Sequence, residues 1–198
     1  MSRIVDREAR RTEIVTAAAA VFAQRGLAAT TVSDIVKSAG VAQGTFYLYF
    51  HSKDEAVLAV AEHFGDVMIE SIERAVAAPQ LSAVQKLLSL RDTLSHATVT
   101  EGTPELIEIM HSPGNRAIHD RLAEHLTPRL VTIVQGIVDQ GMAEGVFEVP
   151  DAHAAAWFVL GGLQSAELSG VPVAEMPEAL AKATELAFRA LGYQGRRP

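Results

Sequence analysis

The sequence predicts an all-α fold of about nine helices, arranged as a small N-terminal head and a larger helical body. Three observations carry this. Apolar residues recur at three- and four-residue spacing along most of the chain. Ser, Thr, Asp, Gly and Pro interrupt those runs where helix caps and breaks belong. No segment sustains the two-residue alternation of a half-buried strand.

In order along the chain, Ile14, Ala17, Ala18, Val21 and Phe22 follow helical spacing, and Gly26 closes that first helix. The run IVTAAAAVFA follows Arg10 and Arg11, but Asp6, Glu8 and Glu13 make its flank mixed in charge, so it reads as an amphipathic helix and not a signal peptide. Residues 30–50, TTVSDIVKSAGVAQGTFYLYF, contain two short helical patterns joined by an Ala-Gly-Val turn. Thr31 and Asp34 form a capping box for the first, and Gly40 supplies the left-handed position that ends it. The second, residues 43–50, is barely two turns long, needs a scaffold, and carries Phe46 and Phe50 as anchors one turn apart. Ser52 and Glu55 open a long helix over 53–77 with an apolar stripe of Val57, Ala61, Phe64, Met68 and Ile72, ending before Pro79. Helices over 82–98 and 103–112 follow, the latter opened by Thr103 and Pro104. A helix over 116–144 is expected to kink or break at Thr127 and Pro128. Asp151 caps residues 152–168, and Pro177 opens a last helix ending near Leu191 before Gly192. These elements divide into a head of residues 1–52 and a body of 53–198.

Two short helices around a tight turn are the grammar of a helix-turn-helix, whose second helix enters the major groove of DNA. Helical geometry sets Gly44, Thr45 and Leu48 opposite the Phe46/Phe50 stripe, with Tyr47 and Tyr49 on the flanks. Gly44 permits close backbone approach, Thr45 can bond a base edge or phosphate, Leu48 can touch a thymine methyl, and Gln43 can pair with adenine. The tyrosine hydroxyls suit phosphates. Lys53 stands in the first turn of the following helix, where a cation opposes the helix dipole, and a DNA phosphate is its expected partner. A plain helical corner accounts for Phe46 and Phe50 but not for Tyr47, Leu48 and Tyr49 beside them, because one core cannot receive every side of a helix.

An amphipathic first helix, then TTVSDIVKSAGV, GTFYLYF and HSKDE, together resemble the N-terminal domain of the TetR family of bacterial transcriptional regulators. The resemblance covers residues 11–57 and is specific in combination; beyond them it rests on length and helicity alone. It implies that Thr31, Ser33, Gln43, Gly44, Thr45, Tyr47, Tyr49 and Lys53 face DNA, with Ser33 standing where some members carry a basic residue. It further implies a body that senses small molecules, and a final helix pair that meets its copy across a two-fold axis as a four-helix bundle. Two heads related in this way read palindromic double-stranded DNA with half-sites about 34–36 Å apart.

Charge agrees with that division. The net charge is −7, yet residues 1–53 hold seven Lys/Arg against four Asp/Glu, a balance of +3, leaving ten against twenty, −10, for the rest. The basic footprint is Arg3, Arg7, Arg10, Arg11, Arg25, Lys37 and Lys53. An acidic body is repelled by phosphate, which orients the head toward DNA. There is no cysteine, hence no disulfide or thiolate metal site, which fits a reducing cytoplasm. The longest uncharged apolar stretch, 152–166, is too short to span a bilayer, so no membrane association is expected.

For the body, Phe64, Met68, Leu90, Leu94, Ile107, Met110, Trp157 and Leu160 are candidate apolar lining for a small hydrophobic effector, with His96, His111 and Gln164 as polar candidates. Each residue singly fits plain core as well. Small residues alternate with larger apolar ones in the last two helices: Ala155, Val159, Gly162, Leu163 and Ala166 in one, Leu180, Ala183, Ala187 and Leu191 in the other. They are candidates for a homodimer interface, against ordinary packing within one subunit. Glu108 and His111, with Glu105, show one half of a di-iron ligand set; such a site needs two halves, so neither metal nor cofactor is expected. No nucleophile elbow or phosphate-cradling glycine loop occurs, so no enzymatic activity is expected. The competing readings are a non-specific architectural DNA binder and an all-helical enzyme or metal protein.

Overall fold

Every secondary-structure element among the described residues is a helix. A computed structural model describes residues 2–97, 116–168 and 171–195. They form α1 (Ser2–Arg25), α2 (Val32–Ala39), α3 (Gln43–Tyr47), α4 (Lys53–Val76), α5 (Ala83–Ala97), α6 (Arg116–Ala143), α7 (Ala152–Leu168) and α8 (Met176–Ala190), with a 3-10 turn at Val173–Glu175. The expected helix over 103–112, and with it Glu105, Ile107, Glu108, Met110 and His111, lies outside the described residues. So do the side chains of His96 and Ala166.

The chain divides into two compact units. Among the described residues, one holds 2–65 and 116–123, and the other 66–97, 124–168 and 171–195. The first is built around Ile14, Ala18 and Phe22 of α1, Ile35 and Val36 of α2, Phe46 and Phe50, and Val57 and Val60 of α4, all buried. Ile118 of α6 packs on that core. The expected stripe of α1 and the two phenylalanine anchors are therefore where the spacing put them.

In the second unit, α8 packs on α7 and on α5. Asp151 caps α7 by accepting from the Ala154 amide at 2.8 Å. Ser82 and Gln85 form a reciprocal cap at the start of α5: the Gln85 amide donates to Ser82 Oγ at 3.3 Å, and the Ser82 amide to Gln85 Oε1 at 2.9 Å. Beside them, the Glu144 carboxylate accepts from the Ala83 amide at 3.0 Å, and Gln140 Nε2 donates to the Leu81 carbonyl at 2.9 Å. On α4, Asp66 accepts from Arg129 of α6 and contacts His125 at 3.0 Å.

Of the two alternatives expected at Pro128, a kink or a break, the break does not occur: α6 runs from Arg116 through Pro128 to Ala143 as one helix. Proline removes one backbone bond, but Leu126, Leu130, Val131 and Val134 are buried on both sides of it, and their packing outweighs that loss.

The end of α6 and the segment after α8 meet at an aromatic corner. Phe147 is buried, with ring centroids 6.3 Å from both Phe188 and Tyr193. Its ring lies on Gly141, where a Cβ would come within 2.0 Å of Phe147 Cδ2 and 2.7 Å of its Cγ. Close contact to the root of a buried ring cannot be relieved by moving a flexible tip. Gly141→Ala should therefore cost about 1–3 kcal/mol in urea or thermal unfolding, whatever it gains in helix propensity.

Candidate nucleic-acid interface

The turn between α2 and α3 is fixed at both ends. Thr31 accepts from the Asp34 amide at 3.3 Å, while Asp34 Oδ2 accepts from the Thr31 amide at 3.0 Å and from its hydroxyl at 2.6 Å. This is the capping box expected from the sequence. Arg25 adds a 2.6 Å pair to the other Asp34 oxygen, an interaction that nine residues of separation hid from pattern reading. These bonds hold the Asp34 carboxyl below its ordinary range, the Thr31 side chain first among them. At the other end Gly40 has φ 65°, the left-handed cap expected of it, and Val41 donates to the Val36 carbonyl at 3.0 Å.

α3 is shorter than expected: Gln43–Tyr47, with Leu48 as its C-cap and the chain turning through Tyr49 to Phe50. Five residues cannot sustain a helix alone. Phe46 and Phe50, 0% and 1% exposed, hold it to the core, their rings 5.4 Å apart. Burying each is worth about 1.5–3 kcal/mol. Beside them Leu48 is 70% exposed and Tyr47 48% exposed. Gln43, Gly44, Thr31 and Ser33 are also exposed, whereas Thr45 and Tyr49 are half-buried and Tyr49 packs against the core. A Cβ at Gly44 would meet nothing within 4 Å, so the fold itself does not require glycine there.

Lys53 has partners within the chain. Its ammonium donates to the Leu27 carbonyl at 2.9 Å and to the Thr30 carbonyl at 3.0 Å, both in the α1–α2 loop. These acceptors offset the unfavourable helix dipole, which a phosphate was expected to do. Lys53 thus pins the entry to α2 against the start of α4. The cap of α4 is shifted by one from the expected box: Glu55 donates its amide to Ser52 Oγ at 3.2 Å, but its carboxylate accepts from His51 at 2.6 Å.

In the second unit the candidate residues separate by burial. Leu90, Leu94 and Leu160 are buried, Met68 and Gln164 half-buried. Phe64, in the first unit, is 38% exposed. Trp157 does not point inward: it is 51% exposed, and its indole donates to His153 Nε2 at 3.1 Å. Because an indole N–H only donates, His153 must present a lone pair there and offer its Nδ1 proton to Gln135 Oε1, 3.0 Å away. Among the candidates for a dimer surface, Val159, Leu163, Leu180, Ala187 and Leu191 are buried in the chain's own core, while Ala155 and Ala183 are half-buried and Gly162 is exposed. Helical spacing marks both sides of α7 and α8 as apolar and cannot tell which side the chain covers itself. The face left outside carries Phe158, 66% exposed, and Leu186, 61% exposed. A groove of about 290 Å³ beside Phe158 is lined by Pro150, Ala154, Ala155 and Ala190 among others. No helix among the described residues is long and apolar enough to cross a membrane.

Two outcomes follow for the α2 scaffold. Since the folded Asp34 pKa lies below its unfolded value, the stability it contributes is complete above the ordinary aspartate range, about pH 4, and is lost as pH falls through the folded value. Asp34→Asn should melt lower at neutral pH, and its difference from wild type should shrink in acid; a constant difference down to pH 2 would contradict the linkage. Lys53→Met, which keeps the aliphatic stem, should cost about 1–3 kcal/mol by urea unfolding because two loop carbonyls lose their donor.

Comparison with known proteins places this geometry. The model of bacterial regulatory proteins of the tetR family matches residues 14–60. The HTH-type transcriptional regulator YvdT of Bacillus subtilis is 53% identical over 51 residues, a match covering 26% of either chain, so this chain spans only about a quarter of that relative. The HTH-type transcriptional repressor KstR2 of Rhodococcus jostii is 30% identical over 141 residues, covering 70% of this chain and 68% of KstR2. Among solved structures, the transcriptional regulator FadR from Bacillus subtilis in complex with stearoyl-CoA shares the fold, with a TM-score of 0.67 and 22% identity over 90% of this chain and 98% of that one. With a capped helix-turn-helix, an all-helical body and a relative aligned along most of both sequences, the chain belongs to the tetR family of bacterial regulatory proteins.

Proposed function

We propose that this transcriptional regulator is a cytoplasmic homodimeric repressor that binds palindromic DNA through residues 1–52 and releases it when a small hydrophobic molecule binds the body, residues 53–198. The observation that carries the DNA reading is the contrast on α3: Leu48 and Tyr47 stand out in solvent beside Phe46, which is fully buried. A single domain has little reason to spend a rigidly anchored leucine on water, whereas a thymine methyl gives it a partner. Gln43, Gly44 and Thr45 complete the base-facing set, and Thr31, Ser33, Tyr47 and Tyr49 suit the flanking backbone. Lys53 holds the loop that leads into α2 and keeps a third N–H and its charge for a phosphate.

Dimerisation is supported by Phe158 and Leu186, large apolar side chains left outside on α7 and α8, with Gly162 and the half-buried Ala155 and Ala183 permitting close helix approach. Leu90, Leu94, Leu160, Met68 and Gln164 remain the effector candidates in the body; Phe64, one turn before Met68 in the sequence of α4, belongs to the first unit. KstR2 is named as a repressor, and FadR is titled with stearoyl-CoA; a long apolar ligand of that kind suits leucine- and methionine-rich lining. α4 is one helix of 24 residues that contributes Val57 and Val60 to the head core and Ile69 and Ile72 to the body. Effector and operator are then linked by a coupling free energy, each weakening the other's binding equally.

Selection of binding sites from random duplex DNA tests the reading. Wild type should enrich a palindrome with half-sites about one helical turn apart; recovery of unpatterned sequences would favour a non-specific architectural binder. Gly44→Ala sharpens the test. Its Cβ meets open space in the free protein, so unfolding stability should hold or rise by up to about 1 kcal/mol, while affinity for the selected palindrome falls at least tenfold. Equal affinity for variant and wild type would remove α3 from the groove.

A further inference from the structure

The basic footprint of the head is larger in composition than in free charge. Among the described side chains, Arg25 pairs with Asp34 at 2.6 Å, Arg10 pairs with Glu13 at 2.6 Å, and Lys53 is committed to two carbonyls. Arg7 and Arg11 lie one turn apart on the same side of α1 and run beside the segment that leaves α3. Arg11, the inner one, sits 5.4 Å over the Phe50 ring and is 3.9 Å from the Glu62 carboxylate. Arg7, one turn further out, has its guanidinium carbon 5.9 Å over the Tyr49 ring and no acidic partner among the described side chains.

This arrangement does two things. The Tyr49 ring, itself half-buried against the core, gives the Arg7 side chain a preferred station next to the exposed Tyr47–Leu48 segment. Stacking on a ring face leaves the guanidinium edge, with its five N–H donors, open to an anion in the plane of the group. Arg7 also lies in the part of α1, Ser2 to Glu13, that precedes the segment matched by the family model at residue 14. We propose that Arg7 is a DNA-phosphate contact, so that the interface extends from α3 onto the outer turns of α1. The inference rests on the DNA-binding reading above.

The test is the salt dependence of binding by the full chain, measured between 50 and 200 mM salt on the selected palindrome and on a mixed-sequence duplex of equal length. Each phosphate contact contributes about 0.9 to the slope of log K against log salt. Arg7→Gln should flatten the slope by about that amount per head on both duplexes, lower affinity on both alike, and leave the melting temperature unchanged. Arg7→Lys should restore most of the slope. An unaltered slope for Arg7→Gln overturns the inference, whether affinity is kept or falls together with melting temperature, since the latter marks Arg7 as support for Tyr49 only. If wild type itself binds neither duplex, the functional reading fails and the inference with it; if wild type binds and Arg7→Gln matches it, the inference alone fails.

Discussion

The structure of the head depends on one constraint: a five-residue helix cannot hold its own shape in water. Nucleating a turn costs more backbone entropy than its few hydrogen bonds return. α3 exists because Phe46 and Phe50 are fully buried against α1, α2 and α4. Burying each is worth about 1.5–3 kcal/mol, against about 0.5–1.5 kcal/mol net for a single hydrogen bond of the segment. The same anchoring decides what faces outward. With Phe46 and Phe50 fixed, helical geometry leaves Leu48 and Tyr47 in solvent and forces Tyr49 to the edge, where Arg7 meets its ring.

Around that anchor, polar interactions set position more than stability. Asp34 serves a cap, a hydroxyl and an arginine at once, and Lys53 ties together two ends of chain that are 23 and 26 residues apart. Both oxygens of Asp34 are engaged in doing so, while the Lys53 ammonium keeps a third N–H and its charge. A charged residue near a DNA-reading helix therefore also serves the fold, and what it can offer outward depends on which of its donors the fold has claimed. Among the described side chains of the head, Arg10, Arg11 and Arg25 stand beside carboxylates and Arg7 does not, so placement carries more information than number.

Local features were legible in the sequence because their causes are local. The Thr31–Asp34 box, the left-handed Gly40, the Asp151 cap and the Phe46/Phe50 stripe each need only a few neighbouring residues, and all four are present. Features set by distant parts of the chain were not. Nothing near Lys53 announces the Leu27 and Thr30 carbonyls, and nothing near Glu144 announces the Ala83 amide 61 residues away. Pro128 marked a kink or a break because a proline rule is local, while the burial that carries α6 past it unbroken is not. α7 and α8 failed differently. They are apolar on more than one side, so periodicity could not separate Val159 and Leu180, which the chain buries, from Phe158 and Leu186, which it leaves outside.

The claim on which the rest turns is that α3 has no stability apart from the head's core. Native-state hydrogen exchange at the Phe46 and Phe50 amides, both bonded within this segment, measures it directly. These amides should open with the same free energy as those of the buried α1 and α2 residues Ala18 and Val36, and in a Phe50→Leu variant all four should fall together. Exchange at Phe46 and Phe50 with an opening free energy near zero, while Ala18 and Val36 stay protected, would contradict the account.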